Sequence, residues 1–328
     1  MSTEPKGIAF EKVSAWLESA LPDYPPPYEF DLIAAGGSNL TYKVTAGNGS
    51  RFVLRRPPVT ARVATAHDMQ REYRIMSALK NTAVPVPAML AYCSEVDLSN
   101  GEFYCMELVD GLALREQIDC EGMTAEQCAV ATESLVDAQV AFHQIDLAAV
   151  GLSDMAKHDG YLERQLKRWN QQIVSLGDQG GDQNAGRDLR LFAELHARLS
   201  ASVPESQQPP GLAHGDYRFD NCILNPDYTV AAVLDWELCT IGDPIADFVW
   251  SLNYWAEPGE ELTWLLSPPT RYPAFVGRQA VIDQYCEKSG IELGHLDWYH
   301  AFSWWKQACI VEGVLARLRQ GGGGGMKV

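Results

Sequence analysis

Residues 212–250, LAHGDYRFDNCILNPDYTVAAVLDWELCTIGDPIADFVW, constrain this chain more than any other stretch. In the first half, His214-Gly-Asp-Tyr-Arg-Phe-Asp-Asn221, Asp216 stands five residues before Asn221. The apolar Cys222-Ile-Leu and the turn formers Asn225-Pro-Asp then lead to a second apolar run, Val230-Ala-Ala-Val-Leu, which delivers Asp235 at its end. The pattern predicts a loop, a β-hairpin and a carboxylate at the exit of its second strand. Turn chemistry explains single Asp and Asn residues, but it does not require Asp, Asn and Asp at these spacings on both sides of a strand pair. One carboxylate placed to take a proton, with an amide oxygen and a second carboxylate as hard oxygen donors, suits a divalent cation held against phosphate.

This order resembles the H-R-D-x-x-x-x-N loop of protein kinases and the metal-binding aspartate that follows it, with glycine at the second position. The loop H-G-D-x-x-x-x-N, a strand ending in aspartate and the GDPxxD segment 242–247 together resemble the aminoglycoside phosphotransferase and choline kinase superfamily. Within it, HGDYRFDN followed by LDWELCTIGDP is similar to bacterial phosphotransferase family proteins and to the kinase-like domain attached to some acyl-CoA dehydrogenases. The resemblance covers about residues 33–316. It implies an α+β, two-lobed protein-kinase-like fold, with a small N-lobe built on an antiparallel sheet (residues 1–109) and a larger, mainly helical C-lobe (110–320). Residues 321–328, with their glycine run, are expected to be a flexible tail. ATP and Mg²⁺ are the implied cofactors, and a small-molecule hydroxyl is the implied acceptor. Asp216 would be the base, Asn221 and Asp235 the metal ligands, and Arg218 a transition-state cation. His214 reads as a brace for the loop, and Asp243-Pro244 as a helix start.

Upstream, residues 28–44 read as strand, glycine turn, strand, with Gly36, Gly37, Ser38 and Asn39 as candidate phosphate donors. An ordinary hairpin needs such glycines equally, so their position ahead of the next motif carries the reading. Arg51-Phe-Val-Leu-Arg55-Arg56 looks like the third strand, where the superfamily usually has a phosphate-binding lysine. Arg55 is aligned with that lysine, while Arg56 points to the opposite face of a strand. The helical recurrence of Met69, Tyr73, Met76 and Leu79 includes Glu72, the candidate partner of Arg55. Met106-Glu-Leu-Val-Asp-Gly111 resembles the hinge where backbone groups meet adenine, which marks Glu107 and Val109. Helices are expected near 124–147, 161–176, 187–201, 244–255, 272–289 and 296–320.

A net charge of −17 argues against non-specific binding to nucleic acid or anionic membrane, and no apolar run approaches spanning length. Eight cysteines without CxxC or Cys/His metal spacing predict reduced thiols in a cytoplasmic protein. The acceptor is not legible: acidic composition favours a cationic one, and the branch resemblance favours a hydroxyacyl thioester. Seven Trp and Tyr residues of the second lobe, Trp304 and Trp305 among them, read mostly as core. Arginine at the lysine position leaves one rival, a nucleotide-binding pseudokinase acting as an interaction module.

Overall fold

The computed structural model describes residues 5–35, 39–58, 68–95, 98, 101–155, 159–178, 189–205, 208–260 and 267–319. Five strands, β1 (Glu29–Ala35), β2 (Leu40–Thr45), β3 (Arg51–Arg56), β4 (Met89–Cys93) and β5 (Phe103–Glu107), form one sheet in the order β1-β2-β3-β5-β4. Every neighbouring pair is antiparallel. Both faces of β3 are covered, which is why its core reads as an apolar run and not as an alternation. Phe52 and Leu54 pack with Val13 and Leu17 of helix α1 (Phe10–Ala20), whereas Val53 joins Met69, Ile75 and Met76 of helix α2 (Met69–Leu79). The two-residue period of the strand therefore sends Arg55 to the α2 side and Arg56 to the α1 side.

Helix α2 begins where the Asp68 side chain accepts the Arg71 N–H at 2.9 Å, satisfying one of the free amides of the first turn. Its buried positions, Met69, Glu72, Ile75, Met76 and Leu79, recur at helical spacing, so Glu72 is carried on the apolar face toward β3. Beyond β5 the chain passes directly against the second lobe: Leu112 and Leu224 exchange both backbone hydrogen bonds at 2.8 Å. A Cβ on Gly111 would stand 2.4 Å from the Leu224 carbonyl oxygen, so only glycine allows that approach.

The second lobe holds helices α3 (Ala125–His143), α4 (Tyr161–Asp178), α5 (Arg190–Ala201), α6 (Pro244–Leu252), α7 (Arg278–Ser289) and α8 (Leu296–Arg319). Two short antiparallel pairs complete it, β6 (Gly211–Ala213) with β9 (Thr240–Gly242) and β7 (Cys222–Leu224) with β8 (Val230–Val233). Helix α8 packs against α4, α5 and α6, and α3 lies against α7 and β6. This is the two-lobed, kinase-like α+β architecture expected from the motifs. Trp305 is buried and Trp304 exposed, as neighbours on one helix must be.

Several boundaries differ from expectation, among them the end of α3 at His143 where 147 was expected. The helix expected from residue 272 starts at Arg278, because a 3₁₀ turn at Pro269–Arg271 and the missing amide of Pro273 occupy the segment before it. Helix α6 stops at Leu252, three residues early, where Asn253 caps it. Strand β5 ends at Glu107, two residues before Val109, as the chain turns into the connector. No helix among the described residues is long and apolar enough to cross a membrane. All eight cysteines are free thiols, and seven of them are buried.

Candidate active site

The 214–221 loop is suspended from the first two turns of α6. Asp247 accepts the backbone N–H groups of His214 at 2.9 Å and Gly215 at 2.8 Å, and its Oδ2 lies 3.1 Å from His143 Nε2. Burial works against the Asp247 charge, but the His143 bond and the amides outweigh it and hold its pKa below the ordinary carboxylate value. Asp243 caps α6 by accepting the Ile245 and Ala246 amides at 2.9 and 3.0 Å, and Pro244 takes the first helical position. Its other oxygen accepts the Tyr299 hydroxyl at 3.0 Å, fixing the helix start to α8.

His214 is fully buried beside Trp236, with ring centroids 4.8 Å apart. Its Nε2 donates to the Leu234 carbonyl at 2.9 Å, and its Nδ1 accepts the Asp216 N–H at 3.3 Å. The ring thus ties the loop to the end of β8, the bracing role its position suggested. Gly215 has φ +85°, and a Cβ there would meet Leu238 at 3.0 Å, so the turn toward Asp216 requires glycine.

Asp216 and Asn221 come together across the loop. The Asn221 side-chain N–H₂ donates to the Asp216 carbonyl at 2.7 Å and to Asp216 Oδ2 at 3.1 Å, which leaves the amide oxygen as its donor atom for a cation. The Asn221 carbonyl accepts the Leu234 N–H at 2.8 Å, so the residue before Asp235 is fixed to the same loop. Asp235 itself is left-handed, with φ +63°, a conformation that costs energy for a residue with a Cβ and marks a constrained site.

Arg55 reaches this cluster from the sheet. Its terminal nitrogen donates to Asp235 Oδ1 at 2.6 Å, its Nε lies 3.6 Å from Glu72 Oε2, and Glu237 Oε2 is 3.8 Å away. Glu72 also accepts the Tyr104 hydroxyl at 2.9 Å. The Asn39 side-chain N–H₂ lies 3.5 Å from Glu72 and 3.1 Å from Glu237. Burial raises the Glu72 pKa against the pull of Arg55, and burial followed by the Asp235 charge pushes Glu237 up to about 7. Arg218 stands on the other side of Asp216, its Nε 3.7 Å from Oδ1, with Asp220 at 3.5 Å and the Tyr254 ring 4.9 Å beneath its guanidinium.

The structure therefore brings together Asn39, Arg55, Glu72, Asp216, Arg218, Asn221 and Asp235. Arg56 is excluded: it lies on the α1 side, fully buried, with its Nε on the Pro57 carbonyl at 2.9 Å. Glu107 and Val109 lie where the sheet leaves for the connector, with the Glu107 N–H on the Ala88 carbonyl at 2.8 Å, and no hydrogen bond or ion pair among the described residues joins them to the cluster. Gly36, Gly37 and Ser38 lie outside the described residues. Sequence reasoning missed Glu237 and left Tyr254 among the undifferentiated aromatics. The signal for Glu237 was its place two residues past Asp235, before the 3₁₀ turn Trp236–Leu238 carries it back toward Arg55.

Residues 29–265 match the family model described as phosphotransferase enzyme family, APH. The chain belongs to that family. Membership makes it a kinase-type phosphotransferase and accounts for the two-lobed fold. Acyl-CoA dehydrogenase family member 11 of Gallus gallus is 33% identical over 87% of this chain, but the match covers 36% of that protein, so the chain spans little more than a third of such relatives. A crystal structure from Ralstonia eutropha JMP134, provisionally named an aminoglycoside phosphotransferase, has 29% identity and a TM-score of 0.78, covering 95% of this chain and 90% of the other. An aminoglycoside phosphotransferase in ternary complex with AMP-PNP and hygromycin B shares the fold at 14% identity, with a TM-score of 0.62 and coverage of 94% and 96%.

Proposed function

We propose that this chain transfers the γ-phosphate of ATP to a hydroxyl of a small-molecule acceptor. The observation that carries the reading is the convergence of Asp216, Asn221 and Asp235 on one loop-and-hairpin unit, with Arg55 reaching into it from the sheet. Asp216 would accept the proton of the acceptor hydroxyl and orient it for in-line attack, and Arg218 beside it would balance charge spreading over the transferred group. Arg55 would bind phosphate oxygens, held in register by Glu72, and Asn39 would brace Glu72 from the strand below the glycine turn. Gly36, Gly37 and Ser38 remain candidates for backbone donors over the phosphates, and Glu107 and Val109 for contacts to adenine.

The residues present fit Mg-ATP. The Arg55 and Arg218 Nε groups are buried and lie 3.6 and 3.7 Å from Glu72 and Asp216, beyond hydrogen-bond reach, so each keeps an N–H that a phosphate oxygen could accept. No group of three or more His, Cys, Asp or Glu side chains among the described residues could hold a metal by itself. Magnesium takes one or two protein oxygens and completes its shell from phosphates and water. Asn221 and Asp235 would hold it, and when bound it would neutralise charge on the phosphate oxygens.

Mass-spectrometric screening of hydroxyl-bearing metabolites and antibiotics with ATP tests the reading, with a mass increase of one phosphoryl group on an acceptor as the expected result. Magnesium-dependent stabilisation by ATP in a thermal-shift titration should also be lost or much reduced in Asp235→Ala. Equal stabilisation of both proteins would remove Asp235 from the metal site. The rival left by arginine at the lysine position, a nucleotide-binding protein that performs no transfer, is favoured by neither the family match nor the relatives. Phosphoryl transfer to any acceptor decides between the two, because both bind ATP.

Two acceptor classes fit the preceding observations. The acidic composition favours an amino alcohol or aminosugar. The name of the acyl-CoA dehydrogenase relatives points instead to a hydroxyacyl thioester.

A further inference from the structure

The wall beside Asp216 is an aromatic pair with a cation on each member. Trp250 and Tyr254, both buried, meet edge to face with centroids 6.3 Å apart. Tyr254 carries the Arg218 guanidinium at 4.9 Å, and Trp250 carries the Lys306 Nζ at 4.1 Å from its ring centroid. Lys306 comes from α8 and lies within the fields of Asp216 and Asp247, while Arg168 of α4 repels it. Arg168 in turn lies over the Trp169 ring at 5.2 Å. Among the described residues, neither Lys306 nor Arg168 has a carboxylate in ion-pair contact.

Arg168 is exposed and keeps its water, whereas Lys306 is partly withdrawn from solvent against Trp250. The chain has 43 acidic side chains for 26 basic ones, so a carboxylate partner for a lysine is easily supplied. Here two cations on facing helices are left against aromatic rings. Burial pushes the Lys306 ammonium down to about 8, so most of the cost of withdrawing it from water is already incurred in the fold. An anion arriving at Lys306 gains its full attraction, and a cationic acceptor is repelled. The aromatic face attracts the ammonium without neutralising it.

We propose that Lys306, supported by Arg168, is an anion-recognition residue of the acceptor site, and that the acceptor carries a carboxylate or a phosphate near the hydroxyl presented to Asp216. This assignment rests on the kinase reading above and selects between its two acceptor classes. The whole-surface charge of −17 sets the long-range field. At the Trp250 wall the local charge is the Lys306 ammonium, opposite in sign to that field.

Trace acetylation of the full chain with acetic anhydride, followed by peptide mass spectrometry, reports the state of Lys306 without turnover. Inorganic phosphate, 3-hydroxybutyrate and choline are compared at matched ionic strength, with the other lysines as internal references. A bound anion raises the lysine pKa, so phosphate or 3-hydroxybutyrate should slow acetylation of Lys306 at least about fivefold while choline does not. Protection by phosphate alone identifies a phosphorylated acceptor, and protection by the carboxylate alone a hydroxy acid. Equal rates with all three, or protection by choline, overturn the proposal.

The same samples separate the two levels of inference. Anion protection with no phosphoryl transfer to any acceptor overturns the kinase reading and leaves the anion site standing. Transfer to a cationic acceptor without anion protection does the reverse. On an acceptor that supports transfer, Lys306→Met should raise KM about tenfold with kcat within about threefold and the KM for ATP unchanged, the pattern of lost ground-state binding. Lys306→Arg should restore it. A fall in kcat with unchanged KM would place Lys306 in loop support and not in recognition.

Discussion

Asp216→Asn lowers phosphoryl transfer by about 10² to 10⁴ while ATP affinity stays within a few-fold, the loss expected for removal of a general base. The substitution keeps the shape of the side chain, so the contact from Asn221 at 2.7 Å to the Asp216 backbone survives. What disappears is a carboxylate able to take the hydroxyl proton and to balance Arg218 at 3.7 Å. Single-turnover measurement with an accepted substrate, alongside nucleotide binding by calorimetry, separates the two effects. Undiminished turnover in the variant would assign the proton to another group.

A larger structural loss is expected at Asp247. Asp247→Ala strips acceptors from the His214 and Gly215 amides and from His143 in one step, and removal of a buried, hydrogen-bonded charge costs about 3–5 kcal/mol. In a chain of this size that corresponds to a fall in Tm on the order of 10 °C. The pH dependence has a definite sign. Because the folded pKa lies below the unfolded one, the stabilising contribution is complete above the unfolded carboxylate value and is lost as pH falls through the folded value. The Tm gap between wild type and variant should therefore be constant near neutrality and narrow only below about pH 4, where unfolded-state aspartate titrates. A gap already closing near pH 6 would assign the effect to another group. Asp247→Asn, which keeps one carbonyl acceptor, should fall between the two proteins in Tm.

Asp216, Asn221 and Asp235 were legible in the sequence because one loop and one hairpin, all local in the chain, bring them together. Glu72 was legible for a related reason: helical spacing places it on the buried face, and a carboxylate on a buried face needs a partner. The choice between Arg55 and Arg56 needed the structure. Strand period separates them, but only the packing of Val53 against α2 says which side faces the cleft. Lys306 was invisible because its significance lies in its contact with Trp250, far away in sequence on another helix, and in the field of Arg168. Neither residue type nor spacing announces an unpaired cation. The late start of α7 follows from the packing of residues 269–277, which periodicity does not register.

Helix α6 is nine residues long, about 13 Å of rigid rod at 1.5 Å per residue. Asp247 in its first turns holds the loop that carries Asp216, and Asp243 fixes the helix start. Trp250 near its end, with Tyr254 just beyond, forms the wall on which Lys306 rests. Chemistry and recognition are thereby mounted on a single lever. A substitution that tilts this helix to admit a bulkier acceptor also displaces the base, so acceptor preference should be altered more readily by exchanging side chains on α4 and α8 than by remodelling α6. Directed evolution toward new acceptors is accordingly expected to accumulate its tolerated changes on those two outer helices and to leave residues 243–250 intact.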